Sequence, residues 1–98
     1  MELFAILRRH GWKTGPELEE AATRSKEVAE KEFPNDIRWI RSYVISEDDG
    51  GLGTVCIYQA TDPDAVRRHA AAVGMPADEV LPVADTVIVR PDPEPAAV

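Results

Sequence analysis

At 98 residues, with 44% apolar and 30% charged side chains, the chain has the composition of one globular domain with a single core and no length for a second. Its formal net charge of −7 opposes binding to a phosphate backbone, which depends on clustered Lys and Arg. No apolar run is long enough to cross a bilayer. Met1 is not followed by the charged start, apolar stretch and small-residue cleavage site of an export signal. The one cysteine, Cys56, cannot form an internal disulfide and suits a reducing compartment. The expected location is therefore cytoplasmic, with neither nucleic acid nor membrane as partner.

Residues Glu2 to Arg9 read as a strand, with Phe4 and Ile6 on one side and Leu3, Ala5 and Leu7 on the other. His10 to Gly15 form a loop leading into Pro16, which suits the first turn of a helix because its missing N–H has no partner there in any case. Thr14 or Gly15 caps that helix, and Thr14 and Glu17 have the spacing of a capping box. Leu18, Ala21, Ala22, Ser25, Val28 and Ala29 recur at helical spacing, opposite Glu19, Glu20, Glu27, Glu30 and Lys31. Phe33, Pro34 and Asn35 end the helix.

Two strand-like runs follow, IRWIRSYVIS and TVCIYQA, around a turn containing Asp48, Asp49, Gly50, Gly51 and Gly53. Asp62 then caps a second helix that begins at Pro63 and stops at Gly74. Val83 to Arg90, with Val87 and Val89 opposite Thr86 and Ile88, is expected as the last strand. The order strand, helix, strand, strand, helix, strand predicts an α+β fold, the ferredoxin-like plait (βαββαβ), with a four-stranded antiparallel sheet and two helices on one face. Residues 1–91 form the expected domain and 92–98, rich in proline and acid, a mobile C-terminal tail. Strand order is expected as fourth, first, third, second.

Each strand alternates two faces, and neither is purely polar. The wholly apolar parity (Phe4, Ile6, Ile40, Val44, Val55, Ile57, Val87, Val89) is expected to meet the helices. The mixed parity (Leu3, Leu7, Trp39, Arg41, Tyr43, Cys56, Tyr58, Ile88) is then expected to face outward. An outward patch of that size and aromatic content predicts a homodimer packed through its sheet faces.

The stretch Arg38-Trp39-Ile40-Arg41-Ser42-Tyr43-Val44, with Cys56-Ile57-Tyr58-Gln59-Ala60, Arg68-His69-Ala70 and Gly74-Met75-Pro76-Ala77-Asp78, resembles a family of small bacterial nickel-binding proteins. The resemblance runs from Leu3 to Val89. It implies a homodimeric ferredoxin-like fold and nickel as a bound metal ion. Where many relatives in that pattern carry His, this chain has Arg41, and its hairpin turn is longer.

His10 and His69 are the only imidazoles, the ligands a protein most readily offers nickel at neutral pH. They are expected to approach one another near a sheet edge, although a lone His on an apolar helix face is more often a hydrogen-bonded structural residue. Cys56 offers a third, softer metal donor, or else a small buried apolar side chain. Asp48 and Asp49 lack the alternating ligands of a calcium loop. Trp39, Arg41, Tyr43 and Tyr58 are the residues of a ligand surface, with Arg41 pairing a carboxylate, or of the dimer interface. No nucleophile–base constellation, phosphate loop or dinucleotide fingerprint is present. The leading expectation is a protein that sequesters or senses a divalent transition metal, nickel by resemblance. The alternative is a small-molecule-binding enzyme or accessory protein of the dimeric plait type, such as a cofactor-independent oxygenase or isomerase.

Overall fold

The computed structural model describes residues 1–94. Six elements follow one another: β1 (Glu2–Trp12), α1 (Gly15–Glu32), β2 (Ile37–Ser46), β3 (Leu52–Ala60), α2 (Pro63–Val73) and β4 (Glu79–Pro82). The strands form one sheet in the order β2-β3-β1-β4 with antiparallel neighbours throughout. This is the ferredoxin-like plait, with its order of strands as expected.

Local chemistry explains the helix boundaries. Thr14 Oγ1 accepts from the Glu17 amide at 3.3 Å, satisfying one orphan donor of the first turn, and the Glu17 carboxylate accepts from the Lys13 amide just before the cap at 2.9 Å. In α2 the Asp62 carboxylate accepts from the Ala65 amide at 2.8 Å. Gly74, at φ 83°, takes the left-handed conformation that ends the helix. The core lies between the helices and the sheet, with Phe4, Ile6, Phe33, Tyr58, Ala65 and Val66 at its centre.

Two expectations about the sheet are corrected. The last strand is Glu79–Pro82 and not Val83–Arg90: Val87, Ile88 and Val89 are 85%, 77% and 82% exposed and belong to no strand. After Gly74 the chain reaches the edge of β1 at once, because the Asp78 amide donates to the Leu7 carbonyl and the Asp78 carboxylate accepts from the Arg9 amide. Val80, paired with Ile6, then fills the slot a longer strand was expected to fill.

The second correction concerns which side chains face the helices. Trp39 lies opposite Tyr58, but Arg41 lies opposite Ile57, so β2 carries one extra residue at Ile40. This bulge reverses the alternation: Trp39 stands on the helix side before it, Ser42 and Val44 after it, while Arg41 and Tyr43 point outward. In β3 the buried parity is Thr54, Cys56, Tyr58 and Ala60, and Val55 and Ile57 face outward, half-buried. Cys56, Tyr58 and Trp39 are thus on the helix side, contrary to expectation, and Ile40 is exposed. The outer face is aliphatic, with Leu3, Ala5, Leu7, Val55 and Ile57 along its middle strands.

Asp92, the first residue of the expected tail, accepts from Arg41 Nη1 at 2.8 Å and from the Tyr43 hydroxyl at 2.7 Å; residues 95–98 of that tail lie outside the described residues. Among the described residues no helix is long and apolar enough to cross a membrane.

Candidate functional site

The end of β1 and the β2–β3 hairpin come together because β1 pairs with β3. Arg8 lies opposite Thr54 and Trp12 opposite Leu52, so β1 holds two more residues than its partner over this stretch. The surplus is taken up around His10, whose φ of 50° places a non-glycine residue in the left-handed region. His10 is thereby turned away from the helices, where simple alternation placed it, and toward the hairpin turn.

There its ring stands between two carboxylates. Nε2 is 2.8 Å from Glu47 Oε2, and Nδ1 is 3.3 Å from Asp49 Oδ2. Glu47 is a fixed point: its side chain is fully buried and forms a fork with Arg9, Nε to Oε1 at 2.9 Å and Nη2 to Oε2 at 3.1 Å. Hydrogen bonding to Arg9, with the charges of Arg9 and His10, holds the Glu47 carboxyl below the usual carboxylate range. Asp49 is also held low, chiefly because its carboxylate accepts from the Gly51 amide at 2.9 Å. With Nε2–H donating to Glu47, the neutral ring carries its lone pair on Nδ1, beside Asp49. The arrangement leaves Nδ1 and the Asp49 carboxylate together as a pair of donors that a cation could face. A buried carboxylate that orients an imidazole is the partner metal-binding histidines ordinarily have.

His69 is elsewhere. It is fully buried on α2, and its Nε2 donates to the Ser25 carbonyl of α1 at 2.9 Å. Phe33 meets the ring edge-on at a centroid distance of 5.7 Å, and Tyr58 lies 5.9 Å away. Burial pushes its pKa below the ordinary imidazole value, so the ring is neutral. Its Nδ1 has no protein partner. His69 thus ties the two helices together, and His10 and His69 are not brought to one site. Cys56, also buried, accepts from the Ser42 hydroxyl at 3.1 Å and donates to Thr54 Oγ1 at 3.3 Å, so its sulfur belongs to a hydrogen-bonded chain that begins at Trp39 Nε1. Among the described residues no three His, Cys, Asp or Glu side chains converge as a closed metal site requires.

The four residues considered as one ligand surface are divided by the sheet. Arg41 and Tyr43 are on the outer face with Asp92, whereas Trp39 and Tyr58 line a cavity of about 210 Å³ between α1 and the sheet. Arg8 lines that cavity too, with its side chain wholly buried. Glu47 and Arg8 are buried charged side chains that no sequence motif marks. The signals that point to them are a charged residue on the apolar parity of Phe4 and Ile6, and an acid at the hairpin shoulder facing the end of β1.

A family model described as nickel responsive protein SCO4226-like matches residues 4–83. The crystal structure of SCO4226 from Streptomyces coelicolor A3(2) is similar to this chain, with a TM-score of 0.68 and 19% identity over 87% of this chain and 99% of that one. At that identity the likeness concerns the fold. No curated protein sequence matches the chain.

Proposed function

The chain belongs to the SCO4226-like family of nickel responsive proteins, and from that premise we propose that it binds a divalent transition metal ion, nickel, to sequester or sense it. The observation that carries this reading is the imidazole of His10 set between buried Glu47 and exposed Asp49. His10 Nδ1 and the Asp49 carboxylate are the two donors, and Glu47 fixes the tautomer and direction of the ring from behind. A mixed nitrogen and oxygen donor set suits nickel. One chain offers a chelating pair and not a cage, so water or a second copy supplies the remaining donors. Arg41, a permanent cation, takes no part. Neither do His69 and Cys56, whose hydrogen bonds are directed into the core.

The second copy has a support of its own. The outer sheet face presents Leu3, Ala5, Leu7, Val55 and Ile57, half-buried, with Tyr43 and Leu81 more exposed. A contiguous aliphatic face of this kind fits an isologous homodimer. The single thiol, buried and unpaired, suits a reducing compartment, and we place the protein in the cytoplasm.

Calorimetric titration with nickel tests the reading. His10→Ala removes the nitrogen donor and is expected to abolish the binding heat. Glu47→Gln, which loses only the orienting carboxylate, weakens affinity by about 10–100-fold. Binding also weakens on acidification, because protons compete for Nδ1. Nickel binding that survives in His10→Ala, or that depends on His69 instead, overturns the proposal.

A further inference from the structure

The chain after β4 is tied back to the sheet at two points. The Val83 amide donates to the Leu3 carbonyl at 2.9 Å. Further on, the Asp92 carboxylate accepts from Arg41 Nη1 at 2.8 Å and from the Tyr43 hydroxyl at 2.7 Å. Because β4 is one edge of the sheet and β2 the other, residues 83–92 pass from edge to edge and end on the outer face, where Arg41 and Tyr43 point. Three strand spacings make that crossing roughly 14 Å wide, whereas the chain between the two anchors can reach roughly 30 Å. The segment therefore has slack, and it arches.

Between the anchors stand Val87, Ile88 and Val89, 85%, 77% and 82% exposed and in no helix or strand. Three consecutive β-branched side chains held in water by a segment fixed at both ends form an apolar surface with nothing on it. The same molecule carries the matching surface, the aliphatic outer face of Leu3, Leu7, Val55 and Ile57. Charge matches as well. The arch and its flanks bear Asp85, Asp92 and Glu94, while the edge strand β2 bears Arg38 and Arg41, both exposed, in a chain of net charge −7. Asp92 already pairs with Arg41, and among the described residues Arg38 has no ion-pair partner. An arch and a receiving face on one chain, left apart in that chain, are the two halves of an isologous contact between two copies.

We infer that Val87, Ile88 and Val89 hold the second copy: each arch packs on the outer face of the other chain, with its acidic flanks against the arginines of β2. This rests on the homodimer proposed above and names the segment that seats it. The segment Thr86 to Arg90 thus keeps its strand-like apolar pattern without belonging to the sheet of its own chain, because its apolar partners lie on another molecule. The contact is separate from the His10 edge and does not depend on nickel.

Sedimentation of the full chain over a dilution series gives the dissociation constant of the dimer. The triple variant Val87→Thr, Ile88→Thr, Val89→Thr keeps the branched shapes and removes apolar contact, and is expected to raise that constant about tenfold or more. Its melting temperature at concentrations where only single chains are present is expected to equal that of wild type, because the segment lies outside the core. Ile88→Cys gives a second readout. The native thiol of Cys56 is buried, so a thiol-reactive probe reports on the arch, and labelling is expected to slow as concentration rises through the dimer range. A wild-type dimer whose dissociation constant changes less than about twofold in the triple variant, or labelling that stays equally fast once the mass has doubled, overturns the inference and leaves the homodimer standing. A wild-type mass of one chain at every concentration overturns both.

Discussion

Gly53→Ala tests how tightly the edge site is built into the sheet. Gly53 pairs with Ile45 across β2–β3, and a Cβ at this position would sit 2.6 Å from the Arg8 carbonyl oxygen and 2.8 Å from Glu47 Oε1. Its φ is not positive, so the glycine is there for space and not for backbone freedom. The Arg8 carbonyl is backbone within the β1–β3 ladder and cannot move aside alone. The Glu47 carboxylate is clamped by Arg9 and His10. Overpacking of this kind costs about 1–3 kcal/mol, and a clash with main chain puts the expected loss in the upper half of that range. For a domain of this size that is a fall of about 10–20 °C in melting temperature. Urea denaturation is expected to show a lower midpoint with an unchanged slope. In a Glu47→Ala background, where one of the two clashes is gone, Gly53→Ala is expected to cost less than it does in wild type. A Gly53→Ala protein within about 0.5 kcal/mol of wild type would refute the reasoning.

Two further outcomes follow from the packing. His69 has a folded pKa below its ordinary value of 6.5, so as pH falls through that value the unfolded chain takes up a proton the native ring refuses. Stability is therefore full above the imidazole range and declines on acidification, by at most about 1.4 kcal/mol per pH unit; denaturation between neutral pH and pH 5 should show this slope in wild type and lose it in His69→Asn. Ile57→Lys places a charge at the centre of the outer face, opposite Ala5 and Arg41. Light-scattering mass is expected to show two copies for wild type and one for the variant, and a wild-type mass of one chain rules out the proposed homodimer.

Which parts of this were legible in the sequence depended on whether one residue type could decide between alternatives. Thr14 with Pro16, Asp62 with Pro63, and Gly74 each have a single mechanical meaning, and they set both helices. The order of elements then left one sheet topology. Strand β3 carries apolar residues on both parities, so hydropathy could not say which faced the helices; the deciding fact is that Tyr58 and Cys56 fit beneath α1 and α2, a property of packing. In β2, Arg38 and Arg41 are both exposed although they are three apart. An unbroken strand would put them on opposite faces, so their spacing was a readable sign of the bulge at Ile40. The segment Thr86 to Arg90 has a better strand pattern than Glu79 to Pro82. It lost because the short connection after Gly74 delivers Val80 to the core first, and no local pattern encodes that distance.

The surplus residues near the end of β1 also explain why the His10 edge is not visible as a motif. Arg8, Arg9 and His10 are consecutive, yet Arg8 turns under α1, Arg9 clamps Glu47, and His10 stands between Glu47 and Asp49. A regular strand would send Arg8 and His10 to the same face. The irregularity separates them, with the main chain of Gly53 set between the Arg8 carbonyl and the Glu47 carboxylate. The hairpin shoulder therefore reaches its position through backbone pairing with β1, so the His10 edge rests on the sheet and not on a free loop. Charge makes the same distinction: the acids of the turn surround the His10 imidazole, while Arg8, buried without a carboxylate partner among the described residues, lies on the opposite face of the strand.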